Sequence, residues 1–273
     1  MSPDSRQRLA RVLIVAGSDS GGGAGVQADL RTVAAHRAFG TTAITAITAQ
    51  NTCGVRAIEA LAPALVRAQI DAVLEDIGAD AVKIGMLANA EVVEAVARAL
   101  AVHAPPNIVL DPVMVAKGGD RLLAHDASAA LLERLVPMAR VVTPNLPELV
   151  ALTGAEPAAG ARQAGRIELA RKLAADGPMV LAKGGHAAGE TLVDLLVDAR
   201  GVVGRWSHRR LATRATHGTG CTLSTAIACR LATGATLAVA VGGAITYLQG
   251  AIAAAVPVGT GCGPVDHLWQ WSE

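Results

Sequence analysis

Val12-Leu13-Ile14-Val15-Ala16-Gly17-Ser18-Asp19-Ser20-Gly21-Gly22-Gly23-Ala24-Gly25 decides the fold. The apolar run Val12 to Ala16 is too short for a signal peptide and reads as a first strand. Beyond the glycines, Val26, Leu30, Val33 and Ala34 recur at helical spacing. Strand, glycine-rich turn and helix is the usual ligand-binding opening of an α/β sheet. Gly23-Ala24-Gly25-Val26-Gln27-Ala28 also satisfies the loose Gly-x-Gly-x-x-Ala pattern of dinucleotide binders. The acidic residue expected about 20 positions further on is missing, since Thr41 to Asn51 holds no carboxylate. No Gly-Lys pair occurs, which excludes a Walker-type phosphate loop.

The same alternation continues along the chain. Strands are expected at Thr41 to Thr48, Ala81 to Leu87, Asn107 to Met114, Arg140 to Thr143 and 178–182, with a short extra strand at Ala57 to Ala62. Helices are expected from Pro63 through Ile77 with Leu65, Ala68, Ile70, Val73 and Leu74 inward, and at 90–102, 127–136 and 161–175. Thr191 to Val197 and Gly201 to Ser207 read as a hairpin. At least five strand–helix alternations imply an α/β fold: a mostly parallel central sheet with helices on both faces.

Composition narrows the function. A chain of 273 residues, 52% apolar, can bury a full core, and we read a polar tail at 1–10 and a single domain over 11–273. A net charge of +1 and 2% aromatics leave no footprint for nucleic acid. Cysteines at 53, 221, 229 and 262 show neither metal-ligand spacing nor a disulfide framework, which points to a reducing, cytoplasmic setting. Leu231 to Val265 lacks any charge and is long enough to cross a bilayer. Its glycines and Gln249 break the apolar run, so a buried helix and no membrane partner are expected.

Ligand chemistry gathers at strand ends. Gln50 offers a donor and an acceptor at once, which suits a neutral heterocycle edge, while Met86 offers a flexible thioether. Asp111 directly follows an apolar strand and reads as a cap or a Mg²⁺-side ligand. Asn145 and Glu148 stand three apart at a helix that Pro147 helps to start, so both can face one spot, though Glu148 also suits a dipole role. Lys183, before two glycines, can reach a phosphate as a point charge. Thr216-His217-Gly218-Thr219-Gly220-Cys221-Thr222-Leu223-Ser224 is a glycine turn running into a helix, so unpaired amides converge there and attract anions. Cys221 falls in the first turn, where a helix start is expected to lower a thiol's pKa. An anion hole with a reactive group inside it is what phosphoryl transfer needs.

Gly17-Ser18-Asp19, Gly22 to Leu30, Ala49-Gln50-Asn51-Thr52, Lys83 to Leu87, Asp111 to Met114, Thr143 to Glu148, Lys183-Gly184-Gly185-His186 and His217 to Ser224 occur in this order. Together they closely resemble the hydroxymethylpyrimidine/phosphomethylpyrimidine kinases of thiamine biosynthesis, within the ribokinase-like superfamily. The resemblance spans about residues 11–267. It implies a ribokinase-like fold using ATP and Mg²⁺, and phosphorylation of 4-amino-5-hydroxymethyl-2-methylpyrimidine and then of its monophosphate. It implies a pyrimidine pocket formed by Gln50, Gly17, Ala24, Asp29, Met86 and Val113. Asp111, Glu148 and Asn145 would organise Mg²⁺, partly through water. Lys183 would contact ATP phosphates, and the Gly218–Cys221 amides, Gly220 included, would form the anion hole. Cys221 stands where most of the superfamily carries Asp, and either it or Asp111 would act as the base. Thr260 and Ala215 depart from the family pattern, at positions where a basic residue and an Asn are common. The family tends towards homodimers. A pyridoxal/pyridoxine kinase and a non-catalytic pyrimidine sensor are the alternatives; the lid, if any, is expected at 184–190 and near 115–121 from glycine content.

Overall fold

Apolar alternation in β1 (Arg11–Ala16) sets up two cores, one on each face of a sheet. Leu13 and Val15 pack into one, while Val12, Ile14 and Ala16 pack into the other. This computed structural model describes residues 8–114, 127–175, 177–185 and 189–271. His186, with 187 and 188 of one expected lid segment and all of 115–121 of the other, lies outside those residues.

The elements after β1 are α1 (Gly25–Ala35), β2 (Phe39–Ile44), β3 (Ala46–Asn51), β4 (Gly54–Ala60), α2 (Pro63–Asp76), β5 (Ala81–Ile84), α3 (Ala90–His103) and β6 (Ile108–Leu110). Then come α4 (Ala127–Ala130), which continues as a π turn and a 3₁₀ turn to Met138, β7 (Val141–Val142), α5 (Leu146–Thr153) and α6 (Gln163–Ala174). The chain closes with β8 (Met179–Ala182), β9 (Thr191–Val197), β10 (Val202–Arg209), α7 (Thr219–Ala232) and α8 (Leu237–Ala253). Eight strands form one sheet in the order β10-β9-β8-β7-β6-β5-β1-β2. Strands β1, β2 and β5 to β8 run parallel, and β9 and β10 add an antiparallel edge. One core holds apolar residues of α2, α3, α5 and α6, the other those of α1, α7 and α8, so helices cover both faces as expected.

Two local expectations need correcting. The run Thr41 to Thr48 is not one strand: it divides at Thr45 into β2, in the main sheet, and β3, which pairs antiparallel with β4 in a separate two-stranded sheet. Thr45 is fully buried, its amide donates to Ala16 O and its hydroxyl donates to Met86 O at 2.6 Å. Those bonds are tertiary, and β-branched alternation continues through the break, so periodicity carries no sign of it. Leu65, 51% exposed, and Ala68 face solvent rather than inward; Val66 and Ile70 take the buried face of α2. The uncharged C-terminal region contains the 17-residue α8, buried against α7, and no helix among the described residues is long and apolar enough to cross a membrane.

Order in the sheet positions the chemistry. The chain leaves β1 for β2 on one side and returns to β5 on the other, which opens a crevice beyond the carboxyl ends of the strands. Gly17 follows β1, Met86 follows β5, Asp111 follows β6, Asn145 follows β7 and Lys183 follows β8.

Candidate active site

A cavity of about 900 Å³ occupies that crevice. Gly17, Ala24, Gln50, Met86, Asp111, Val113, Asn145, Glu148, Lys183, Gly218, Gly220 and Cys221 all line it, so twelve of the thirteen expected site residues meet at one surface.

The anion-binding end is built by α7. Gly218 is its N-cap with φ +75°, a left-handed conformation, and a Cβ there would overlap the Gly23 carbonyl oxygen. The cap offers no side-chain acceptor. Thr222 is the first residue of the helix whose amide reaches a backbone carbonyl, that of Gly218 at 2.8 Å. The amides of 219–221 are therefore the orphan donors of the helix start, and all three residues line the cavity.

Directly opposite stand a carboxylate and an ammonium. A side chain at Gly220 would begin 3.4 Å from Asp111 Oδ2 and 3.5 Å from Lys183 Nζ, so the glycine turn touches both. Lys183 Nζ donates to Asp111 Oδ1 at 3.0 Å and lies 4.0 Å from Glu148 Oε2. Thr143 donates to the same Asp111 oxygen at 3.0 Å. Burial disfavours the Asp111 charge, but Lys183 and Lys83 outweigh it and hold the carboxyl below the usual range. Lys183 is in turn held charged by Asp111 and Glu148 against its own burial. Gly184 lets this end of β8 press against β9, since a Cβ there would strike the Val193 carbonyl oxygen.

Asn145 and Glu148 form a reciprocal capping box on α5: Glu148 N donates to Asn145 Oδ1 at 2.9 Å and Asn145 N donates to Glu148 Oε2 at 2.8 Å. Asn145 thereby orients Glu148 and spends one of the two lone pairs of its side-chain oxygen on the Glu148 amide. Burial, reinforced by Asp111 and opposed by Lys183, raises the Glu148 carboxyl to about 7.

Three further observations depart from expectation. Asp29 does not line the cavity; it is fully buried behind the wall, bonded to Lys83 Nζ and Thr225 Oγ1, both at 2.7 Å. A buried carboxylate needs such partners, and they turn it inward, away from any ring in the pocket. Lys83 is held charged against its own burial mainly by Asp29. At Cys221 the balance runs against the expected lowering: burial pushes its thiol up to about 11, and Asp29 and Asp111 add to this, while Lys83 and the Gly25 amide act the other way without prevailing. Desolvation exceeds what the helix start supplies.

A polar pair also joins the two glycine loops. His217 Nε2 lies 2.8 Å from Asp19 Oδ2, and Asp19 accepts the amides of Gly21, Gly23 and Ala24 at 2.8, 3.1 and 2.8 Å. Ser20 Oγ accepts Gln50 N at 2.7 Å and donates to Gln50 O at 2.8 Å, fastening the end of β3 to the first loop. Both Asp19 and His217 stand inside recognisable motifs, but only their pairing across 198 positions shows a role, and no local pattern encodes that.

Among the described residues no group of three His, Cys, Asp or Glu side chains is arranged to hold a metal by itself. The donor set still fits Mg²⁺, which usually takes one or two carboxylates and completes its shell with water and substrate phosphates.

A mostly parallel sheet whose strand ends bring an anion-binding helix start against a lysine and two carboxylates defines a ribokinase-like small-molecule kinase. The phosphomethylpyrimidine kinase family profile matches residues 19–266, and the chain belongs to that family. It is 50% identical over 267 residues to the hydroxymethylpyrimidine/phosphomethylpyrimidine kinase of Streptomyces coelicolor, covering 96% of each chain. Among solved structures, the ADP complex of Bacillus subtilis pyridoxal kinase superposes with a TM-score of 0.89 at 34% identity, covering 97% of this chain and 100% of that one. The phosphomethylpyrimidine kinase of Clostridium difficile superposes at 0.76 with 40% identity, covering 88% and 98%.

Proposed function

We propose that this chain transfers the γ-phosphoryl group of ATP to the hydroxyl of 4-amino-5-hydroxymethyl-2-methylpyrimidine, and then to the monophosphate so formed. The observation that carries the reading is the contact of Gly220 with both Asp111 and Lys183, at 3.4 and 3.5 Å from where its side chain would begin. In phosphoryl transfer the charge spreads over the equatorial oxygens, and catalysis is mostly positioning and electrostatic stabilisation. The Gly218–Cys221 amides and Lys183 supply that stabilisation.

In the first step the acceptor hydroxyl oxygen bonds to the γ-phosphorus while the bond to the β,γ-bridging oxygen breaks. The hydroxyl proton passes to Asp111, the ionised group beside the anion hole; the Cys221 thiol stays protonated near neutral pH. In the second step the acceptor is a phosphate oxygen and no proton need move. Asp111 and Glu148 would hold Mg²⁺, with Asn145 fixing Glu148; the ion, when bound, offsets the charge of the nucleotide phosphates. Gln50 reads the ring edge, with Gly17, Ala24, Met86 and Val113 around the ring. We read 11–273 as one kinase domain, cytoplasmic and homodimeric, acting on small molecules without nucleic acid or membrane.

The likeness to a pyridoxal kinase favours one second reading, phosphorylation of pyridoxal. Product analysis by ³¹P NMR decides between them, with ATP and three acceptors in competition: the pyrimidine, its monophosphate and pyridoxal. The pyrimidine mono- and diphosphates are expected to dominate. Equal or faster formation of pyridoxal phosphate would replace the first reading by the second.

A further inference from the structure

The two ends of a glutamine side-chain amide are alike in outline and opposite in hydrogen-bonding character, so the surrounding groups decide which end faces where. At Gln50, Nε2 stands 3.3 Å from His217 Nε2 and Oε1 stands 3.3 Å from Thr48 Oγ1. His217 Nε2 is also 2.8 Å from Asp19 Oδ2. Burial opposes charge on Asp19, but His217 and the amides of Ala24 and Gly21 together draw its carboxyl below the ordinary range. An ionised carboxylate only accepts, so Nε2 must carry the proton that joins it to Asp19. A ring nitrogen bearing a proton has no lone pair left for Gln50. The Thr48 hydroxyl directs its single proton to Ser18 O at 2.8 Å, so it has only lone pairs to offer the amide. Both neighbours ask for the same arrangement: an acceptor towards His217 and a donor towards Thr48.

We infer that the Gln50 amide is exchanged end for end relative to that placement, with its oxygen to His217 and its NH₂ to Thr48, and that the Asp19–His217 pair is thereby a specificity-determining element of the acceptor pocket. One oxygen lone pair and one N–H remain for the ring, in a fixed order. That order matches a ring edge on which an acceptor nitrogen stands beside an amino group, and mismatches an edge with donor and acceptor exchanged. His217 acts through Gln50 and is a positioning residue. The inference rests on the proposed function in one respect, that the acceptor ring lies against Gln50.

The probe is the 4-oxo analogue of the pyrimidine, whose ring N–H and carbonyl reverse the donor and acceptor of the amino compound. Asp19 is unsuitable for substitution because three loop amides depend on it. His217→Phe keeps ring volume and removes the donor, and His217→Gln returns an N–H donor. The wild type should prefer the amino compound in kcat/KM by roughly 10²-fold or more, since a site built to hydrogen-bond one pattern leaves buried groups unpaired with the other. His217→Phe should cut that preference at least roughly tenfold, partly by improving use of the oxo analogue, while KM for ATP stays within about twofold; His217→Gln should restore most of it. A general weakening of the fold cannot improve turnover of a poor acceptor. A parallel loss for both acceptors and ATP, or an unchanged ratio in His217→Phe, would overturn the inference. If His217→Phe does not fold, His217→Leu takes its place, and an unaltered amino-to-oxo ratio in that variant would overturn the inference, because Thr48 alone would then orient the amide. Gln50→Ala, run alongside, separates the two levels: a raised KM for the pyrimidine with an unmoved His217→Phe ratio sinks only the orienting pair. An unmoved KM in Gln50→Ala sinks the pocket assignment and this inference with it.

Discussion

Asp111→Asn is expected to lower kcat for the first phosphorylation by roughly 10³-fold, within the range for loss of a general base combined with an electrostatic group. The substitution keeps the outline of the side chain and an oxygen for Thr143 to donate to. What disappears is the charge facing Lys183 at 3.0 Å and the proton acceptor beside the Gly220 turn. Removing one partner of a buried ion pair also costs stability, up to about 3–5 kcal/mol, so kinetics belong well below the variant's unfolding temperature. Cys221→Ala is the paired control. With its thiol near 11, that side chain is protonated at neutral pH, and its loss should change kcat by less than about tenfold, well short of a base's usual contribution. Alkylation of Cys221 should accordingly be slow at pH 7 and accelerate through pH 10, because the thiolate is the reactive form. A fall of roughly 10³-fold in Cys221→Ala with near-normal turnover in Asp111→Asn would return the base to the thiol.

The second large effect is expected at Lys183→Met, with kcat/KM for ATP reduced by roughly 10²–10³-fold. Lys183 is the cation between Asp111, at 3.0 Å, and Glu148, at 4.0 Å, and its removal leaves two buried carboxylates facing each other. Glu148, already raised to about 7 by burial and by Asp111, loses the positive charge that lowers it, so its proton persists to higher pH. The acidic limb of the pH profile for ATP use should move upward in the variant. Lys183→Arg should not rescue, because a planar guanidinium does not fit where a compact ammonium touches the glycine turn. Unchanged KM for ATP and unchanged kcat in Lys183→Met would contradict a phosphate-facing role.

Much of this site is legible in one dimension because strand ends of a parallel sheet share an edge. Asp111 after Ile108–Leu110 and Lys183 after Met179–Ala182 are 72 positions apart, yet order in the sheet brings them to 3.0 Å. What stays hidden depends on partners that local patterns do not name. Asp29 occupies a conspicuous motif position, but only its buried partner Lys83 shows that it faces the core. Asn145 is drawn into a capping box that an Asn followed three residues later by Glu foreshadows, and that box fixes the Glu148 carboxylate. At Cys221 two opposing effects act on the thiol; the helix start is visible in sequence, whereas the depth of burial is not. The division of Thr41 to Thr48 at Thr45 follows from bonds to Ala16 and Met86, residues of other strand ends.

The central claim is that the amides at the start of α7, Asp111 and Lys183 close around one transferring phosphoryl group. A crystal structure with ADP, Mg²⁺, aluminium fluoride and the hydroxymethylpyrimidine tests it most directly. The fluoride ligands should lie about 2.7–3.1 Å from the amides of residues 219–221 and from Lys183 Nζ, with the acceptor hydroxyl facing Asp111. A planar fluoride bound away from that helix start, with Lys183 still paired only to Asp111, would contradict the account.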